Sequence, residues 1–204
     1  MKVTDVVKNK HNDKYSVFID GDFAFSLAMG DIMFFKLEQG NDVSEKTYEY
    51  IKNEVMLIKA KNRAAAFLGA SKKTEKAVYD KLSESGYPED ICEKVIEELK
   101  SYGYINDLDY ALSYIEDRLK VNPRGVYGLK MELRQKGVKD SVIEKAIDMT
   151  EIDESIYIKQ LMIKKRYDLQ DMDEKEKKKL YDFLLRRGFS YGIIKDTIKN
   201  FDDI

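Results

Sequence analysis

The residues in this chain with the most chemical reach are its arginines and lysines, and they come in runs. From Arg118 to Lys136 there are six bases, Arg118, Lys120, Arg124, Lys130, Arg134 and Lys136, against the single acid Glu132, a net of +5. From Lys159 to Arg187 ten bases stand against six acids, a net of +4, and the run ends in Arg186-Arg187. Before them, Glu84 to Asp117 carries ten acids against Lys94 and Lys100, a net of −8. Guanidinium forks and ammonium groups recognise phosphate and carboxylate oxygens, so the chemistry on offer is binding of an anionic partner. Two readings fit this pattern. The charges are solvated helix faces, with Arg134 and Lys136 complementing a helix C-terminus. Alternatively, an elongated molecule with one acidic and two basic stretches docks along a charged, repeating partner.

Bond-making chemistry has little to work with. There is no phosphate loop of the G-x-x-x-x-G-K-[ST] type and no G-x-S-x-G. The only histidine, His11, sits in the stretch Asn9–Asp13 with no second histidine and no cysteine nearby, which makes it an exposed loop residue. Cys92, the only cysteine, lies beside Ile91 on a helix and reads as a small packed residue. Asp107/Asp109 and Asp171/Asp173 resemble paired carboxylates. They fall at a helix start and in a loop, where an acidic cap explains them without catalysis or metal. The expectation is a non-enzyme with no catalytic residue, no cofactor and no metal ligand.

The elements that must position these charges are set by a repeat. Val78-Tyr-Asp-Lys-Leu82-Ser-Glu-Ser-Gly86-Tyr87 returns as Leu129-Lys-Met-Glu-Leu133-Arg-Gln-Lys-Gly137-Val138 and again as Leu180-Tyr-Asp-Phe-Leu184-Leu-Arg-Arg-Gly188-Phe189, each step 51 residues long. Two apolar residues four apart, then Gly four later, then an apolar residue describe the end of an amphipathic helix. Gly stands where the chain leaves it with φ > 0. Ile91, Val142 and Ile193, with Ile96, Ile147 and Ile198, start the next helix in the same register. Three copies at one period argue for tandem three-helix units. Within them the expected helices run from Lys72 to Ser85, from Pro88 as a first helical position to Ser101, from an Asn106 cap along Leu108, Ala111, Leu112, Ile115 and Leu119, from Tyr127 to Lys136, from a Ser141–Glu144 capping box to Met149, from Ile156 to Tyr167, from Glu174 to Arg187 and from Ser190 to Asn200. Between the last unit's first two helices lies a polar loop, Asp168–Asp173.

Residues 1 to about 30 read differently. Tyr15–Ile19 and Phe23–Leu27 are aromatic and β-branched runs joined by Asp20-Gly21-Asp22, a hairpin signal, with a further strand expected from Lys2 to Val7. A short helix is expected from Ile32 to Leu37, and a longer one, capped at Ser44–Thr47, through Tyr48, Ile51, Val55 and Ile58 to Leu68. The fold class is mainly α: tandem three-helix repeats in an elongated curved array with a small N-terminal β-hairpin and helix region. The expected divisions are 1–58, 59–104, 105–151 and 152–204.

The chain has 204 residues, 43% hydrophobic and 36% charged, with a formal net charge of −2. That is enough apolar residue for real cores. No apolar run approaches the roughly 18 residues of a membrane span. The N-terminus lacks a signal peptide's apolar centre, and one cysteine makes no internal disulfide, so the cytoplasm is the expected location. The chain is separately expected to be a monomer.

Several of these residues resemble a known family. Phe67-Leu68, Thr74-Glu75 and Lys81-Leu82 to Gly86-Tyr87 resemble the first repeat motif of the RecX regulatory proteins. Gly103-Tyr-Ile-Asn-Asp107 with Tyr110-Ala111 resembles their link into the second repeat, and Gly125, Glu132-Leu133 and Lys136-Gly137-Val138 resemble the second motif. The Asp20-Gly21 hairpin is similar to their N-terminal region. The family usually carries an Arg-rich segment before Thr74, where this chain reads Ala70-Ser71-Lys72-Lys73. Positive charge is kept there, and the bidentate arginine fork is not.

The resemblance implies a non-enzymatic modulator of the RecA recombinase. Such a protein lodges in the groove of a RecA filament on single-stranded DNA and restrains ATP hydrolysis, strand exchange and filament growth. The candidate partner-binding residues are Lys72, Lys73, Lys76, Arg118, Arg124, Lys130, Arg134, Lys136, Arg186 and Arg187, with Arg124, Lys130 and Arg134 expected to be exposed. Two other classes compete: a helix-turn-helix-like nucleic-acid-binding module and a helical-repeat adaptor. Overall acidity argues against autonomous DNA binding as the main activity, because such affinity comes largely from neutralised phosphates. Weak direct contact with DNA remains compatible with the basic segments.

Overall fold

The computed structural model describes residues 1–10, 13–167 and 172–201. His11, Asp171 and the start of the acidic loop at residues 168–170 lie outside the described residues. The chain forms two compact units, Met1–Ile105 and Asn106–Ile204.

The first unit opens with a three-stranded antiparallel meander, β1 (Val3–Lys8), β2 (Lys14–Ile19) and β3 (Asp22–Ala28), in the order β1-β2-β3. Asp20 and Gly21 both take positive φ, 52° and 96°, as a two-residue hairpin turn demands. α1 (Met29–Phe34) starts and ends earlier than the apolar pattern of Ile32–Leu37 suggests. Leu37 enters the core from the turn after the helix, which Lys36 opens with φ 53°. α2 (Glu45–Tyr50) is capped by the Ser44 hydroxyl, which accepts the Thr47 N–H at 3.1 Å. It continues through a π-helical segment (Ile51–Met56) into α3 (Leu57–Leu68).

Two helices complete this unit. α4 (Glu75–Glu84) begins three residues later than Lys72, because the buried Thr74 hydroxyl accepts the Ala77 N–H at 3.1 Å and fixes the start. α5 (Glu89–Ser101) has Pro88 as its N-cap, in extended conformation (ψ 152°), one position outside the place expected for it. Strands and helices share one core. Val17, Phe25 and Leu27 of the sheet belong to the same buried cluster as Ile51, Ala60, Val78, Leu82, Ile91 and Val95. The small sheet is therefore stable because α3–α5 cover it.

The second unit holds two further three-helix sets. The first is α6 (Asp107–Val121), α7 (Val126–Gln135) and α8 (Asp140–Thr150). The second is α9 (Glu154–Lys164), α10 (Glu174–Arg186) and α11 (Tyr191–Lys199). Each set has its own buried cluster, and Tyr157 packs against both. Asn106 caps α6 by accepting from Leu108 and Asp109 N–H, each at 3.1 Å. Asp173 caps α10 in a full capping box with Glu176. The box expected at Ser141–Glu144 does not form: α8 starts at Asp140, and Glu144 is drawn to Lys130 instead.

The 51-residue period is visible in three dimensions. Gly86, Gly137 and Gly188 have φ of 82°, 81° and 82°. At each, the next residue's N–H reaches back to the carbonyl of Leu82, Leu133 or Leu184, the bond that closes a helix end of this type. Those leucines are fully buried, as are Val78, Leu129 and Leu180. On the following helix the position completely buried in all three repeats is that of Cys92, Ile143 and Ile194; one residue earlier, Ile91 is also fully buried, whereas Val142 and Ile193 are half-buried. Cys92 is thus the first unit's version of a core isoleucine, and burial pushes its thiol up to about 11. Among the described residues no helix is long and apolar enough to cross a membrane.

Candidate functional site

Several of the basic residues between Arg118 and Lys136 are engaged within the fold, and two of them, Arg118 and Arg124, meet at Glu132. Glu132 is on α7, facing the C-terminal half of α6. Its Oε2 accepts from the Tyr114 hydroxyl at 2.7 Å and lies 3.0 Å from Arg118 Nε. Its Oε1 lies 3.1 Å from Arg124 Nε. Tyr114 and Arg118 are four apart on α6, one helical turn, and Arg118 Nε also donates to the Tyr114 oxygen at 2.9 Å. The Arg118 guanidinium and the Lys136 ammonium both lie over the Tyr114 ring, at 5.3 and 5.2 Å from its centre. Cations over a ring face are attracted by its quadrupole. Burial and the bond to Glu132 raise the Tyr114 pKa, and the bond to the tyrosine raises that of Arg118.

Arg124 lies in the short loop between α6 and α7, and that loop rests on the end of α10. Arg187, the residue after α10, donates from Nη1 to Asn122 Oδ1 at 2.5 Å and to the Pro123 carbonyl at 3.1 Å. Its own carbonyl accepts the Gly125 N–H at 3.0 Å. The backbones meet too closely for any side chain. A Cβ on Gly125 would stand 2.3 Å from the Gly188 carbonyl oxygen, and one on Gly128 2.5 Å from that of Arg187. Glycine is required there because the approach is backbone to backbone. Glu154, at the start of α9, completes the joint by accepting the Val126 N–H at 2.8 Å, so the first turn of α7 is capped by a carboxylate from the following three-helix set. Burial raises the Glu154 pKa, partly offset by that hydrogen bond. Burial lowers the Arg187 pKa, and the charge of Arg124 lowers it further.

The ten sequence candidates therefore fall into different settings. Arg118, Arg124 and Arg187 converge on the joint, and Lys136 shares Tyr114 with Arg118. Arg124 and Lys130 are half-buried where exposure was expected, because Lys130 pairs with Glu144 at 2.5 Å and Arg124 with Glu132. Arg134 is exposed and pairs with Asp140 at 2.6 Å. Arg186 is exposed and makes no ion pair or hydrogen bond with the described residues. In the first unit, Lys72 is exposed, Lys73 lies over the Phe67 ring at 4.9 Å, and Lys76 pairs with Asp80 at 2.8 Å. Lys73 and Lys76 flank the cap at Thr74.

Four residues of the joint were not among the candidates: Tyr114, Asn122, Glu132 and Glu154. Glu132 left a trace in the sequence, as the lone acid among six bases. Glu154 left none, since Val126 is 28 residues away. Among the described residues no cluster of His, Cys, Asp or Glu is placed to hold a metal ion.

Comparison with known proteins accounts for the repeated design. Family models described as the first, second and third three-helix domains of RecX match residues 60–99, 106–147 and 157–198. Regulatory protein RecX of Clostridium botulinum (strain Eklund 17B / Type B) is 32% identical over 203 residues, covering 97% of this chain and 95% of that protein. Its counterpart in Clostridioides difficile is 31% identical over 207 residues, covering 98% and 97%. A crystal structure of regulatory protein RecX superimposes with a TM-score of 0.64 at 28% identity, over 96% of this chain and 98% of the other. That of RecX from Lactobacillus salivarius gives 0.66 at 30% identity, over 74% and 99%. Matched in all three domains and over nearly its whole length, the chain belongs to the RecX family of regulatory proteins.

Proposed function

We propose that this protein regulates the RecA recombinase by binding the RecA–single-stranded DNA filament, and that it slows ATP hydrolysis, strand exchange and filament growth. The observation that carries this reading is the recurrence of one three-helix design three times along the chain, each with the same glycine-terminated helix. A filament offers the same surface again at each protomer, and a ligand with several like units binds it multivalently. The protein acts without chemistry of its own, as a monomer in the cytoplasm. The exposed Arg186 is a side chain well placed for contact with an acidic partner.

Direct binding to bare DNA is the weaker activity on this reading. Lys130 and Arg134 already donate to carboxylates within the fold, and Arg118 is held by Tyr114 and Glu132, which leaves few cations of this stretch for phosphates. Co-sedimentation with RecA–single-stranded DNA filaments, with free RecA and with DNA alone tests the proposal. It expects strong retention by filaments and weak, salt-dependent retention by DNA. Equal retention by DNA alone at physiological salt contradicts it and favours a nucleic-acid-binding module. No retention in any arm favours an adaptor for some other partner.

A further inference from the structure

The joint between the second and third three-helix sets has more positive charge than its carboxylates use. Three guanidinium groups meet here with one paired carboxylate among them: Glu132 takes Arg118 and Arg124, and Arg187, which lies close enough to Arg124 to feel its charge, has no carboxylate partner among the described residues. Glu154 is taken up by the Val126 N–H and pairs with none of the three arginines. Arg124 Nε is buried and makes no hydrogen bond: it is near Glu132 Oε1 but out of line with it. Arg187 spends only Nη1 on the loop, so its Nη2 and Nε, and both Nη groups of Arg124, make no hydrogen bond with the described residues. The loop that carries Arg124 is fixed by Arg187 and by backbone contacts too tight for a side chain, so these donors are held in place before any ligand arrives. Preorganised cations with spare, planar donors and a charge excess are the chemistry of oxyanion capture.

We propose that Arg124 and Arg187, backed by Arg118, form a binding site for a single phosphate group at this joint. One phosphate offers several acceptor oxygens and offsets the mutual repulsion of the two arginines. Tyr127, whose backbone packs on Gly188, is exposed, and its aromatic ring is the kind of face on which a base of a bound single strand stacks. The phosphate comes from solution or from a single-stranded nucleic acid. Only its assignment to filament DNA rests on the RecA reading.

The test uses the full-length protein without RecA, so its failure is separate from failure of the filament proposal. Backbone amide shifts and the thermal midpoint are followed during titration with inorganic phosphate, against sodium chloride at equal ionic strength. The expected result is movement of the Gly125 and Gly188 amides and a midpoint rise seen with phosphate and not with chloride. Arg124→Gln, which keeps a polar group for Glu132 and removes the charge, loses both responses. A single-stranded oligonucleotide and its uncharged methylphosphonate analogue separate the sources. If a phosphodiester occupies the site, only the charged strand shifts the same amides, and Arg124→Gln lowers the salt slope of its binding by about 0.7. Equal responses to phosphate and chloride together with no amide shift from the charged strand, or responses that survive Arg124→Gln, overturn the proposal.

Discussion

The first and third repeats end their middle helix in the same way and use that end differently. In the first unit the turn at Gly86 packs against the sheet, and a Cβ there would meet the Ser26 hydroxyl at 2.9 Å. In the second unit the equivalent turn at Gly188 packs against α7, and a Cβ would meet Gly128 backbone nitrogen at 2.2 Å. The repeat thus supplies a standard docking turn. Against the sheet it meets a small side chain, at 2.9 and 3.0 Å. Against the neighbouring three-helix set it meets backbone. The consequence is a shared core in one unit and, in the other, two separate cores joined by hydrogen bonds, glycines and arginine.

The strongest way to break this comparison is through the cores. Leu82, Leu133 and Leu184 hold one position in three repeats, so Leu→Ala at each should cost about 2–5 kcal/mol. Urea denaturation of the three variants checks this. A midpoint no different from that of exposed-site controls at any one of them would remove that repeat from the series.

The next effect separates the two docking turns. Gly86→Ala and Gly188→Ala both carry the strain of a left-handed residue, about 1–2 kcal/mol. Gly188→Ala adds a backbone clash, and Gly128→Ala has the clash alone, which overpacking costs put at about 1–3 kcal/mol. Gly188→Ala should therefore be the more destabilising of the two turn variants. Equal thermal midpoints would mean that the joint yields as readily as Ser26 does.

Glu154 gives a smaller effect with a pH signature. Glu154→Ala leaves the Val126 N–H without its acceptor, at a cost of about 1–3 kcal/mol. Because burial raises its pKa above the ordinary 4.5, the native state holds this proton more tightly than the unfolded chain. The resulting stabilisation is complete below 4.5 and is lost as pH rises through the native value. Glu154→Gln keeps an acceptor and has no such loss, so its stability relative to the natural protein should rise from acid to neutral pH. A pH series of urea midpoints with no such relative gain would refute this. The smallest effect belongs to the exposed pair Arg134–Asp140, where Arg134→Ala should cost less than about 1 kcal/mol.

Much of the fold was legible because it is periodic. The 51-residue step located the three buried leucines and the three positive-φ glycines, and the Asp-Gly signal located the hairpin. Local boundaries were less legible. Ser141 looked like a cap, yet α8 begins one residue before it, and Pro88 serves just outside the helix it was expected to begin. Such choices turn on which hydroxyl or carboxylate reaches a backbone N–H, and Glu144 had a better partner in Lys130. The joint was the least legible part. Arg187 reaches Asn122 across 65 residues, and nothing local in either segment marks the pair. Counting charges found the basic stretch and overstated how much of it is free, since Glu132 alone engages Arg118 and Arg124.

The central claim, that this chain is a filament-binding regulator, is tested most directly by ATP turnover of RecA on single-stranded DNA titrated with the intact protein. The account predicts a fall in turnover to a plateau, over the same concentrations at which the protein co-sediments with filaments. Unchanged turnover at saturating protein, with no co-sedimentation, would contradict it.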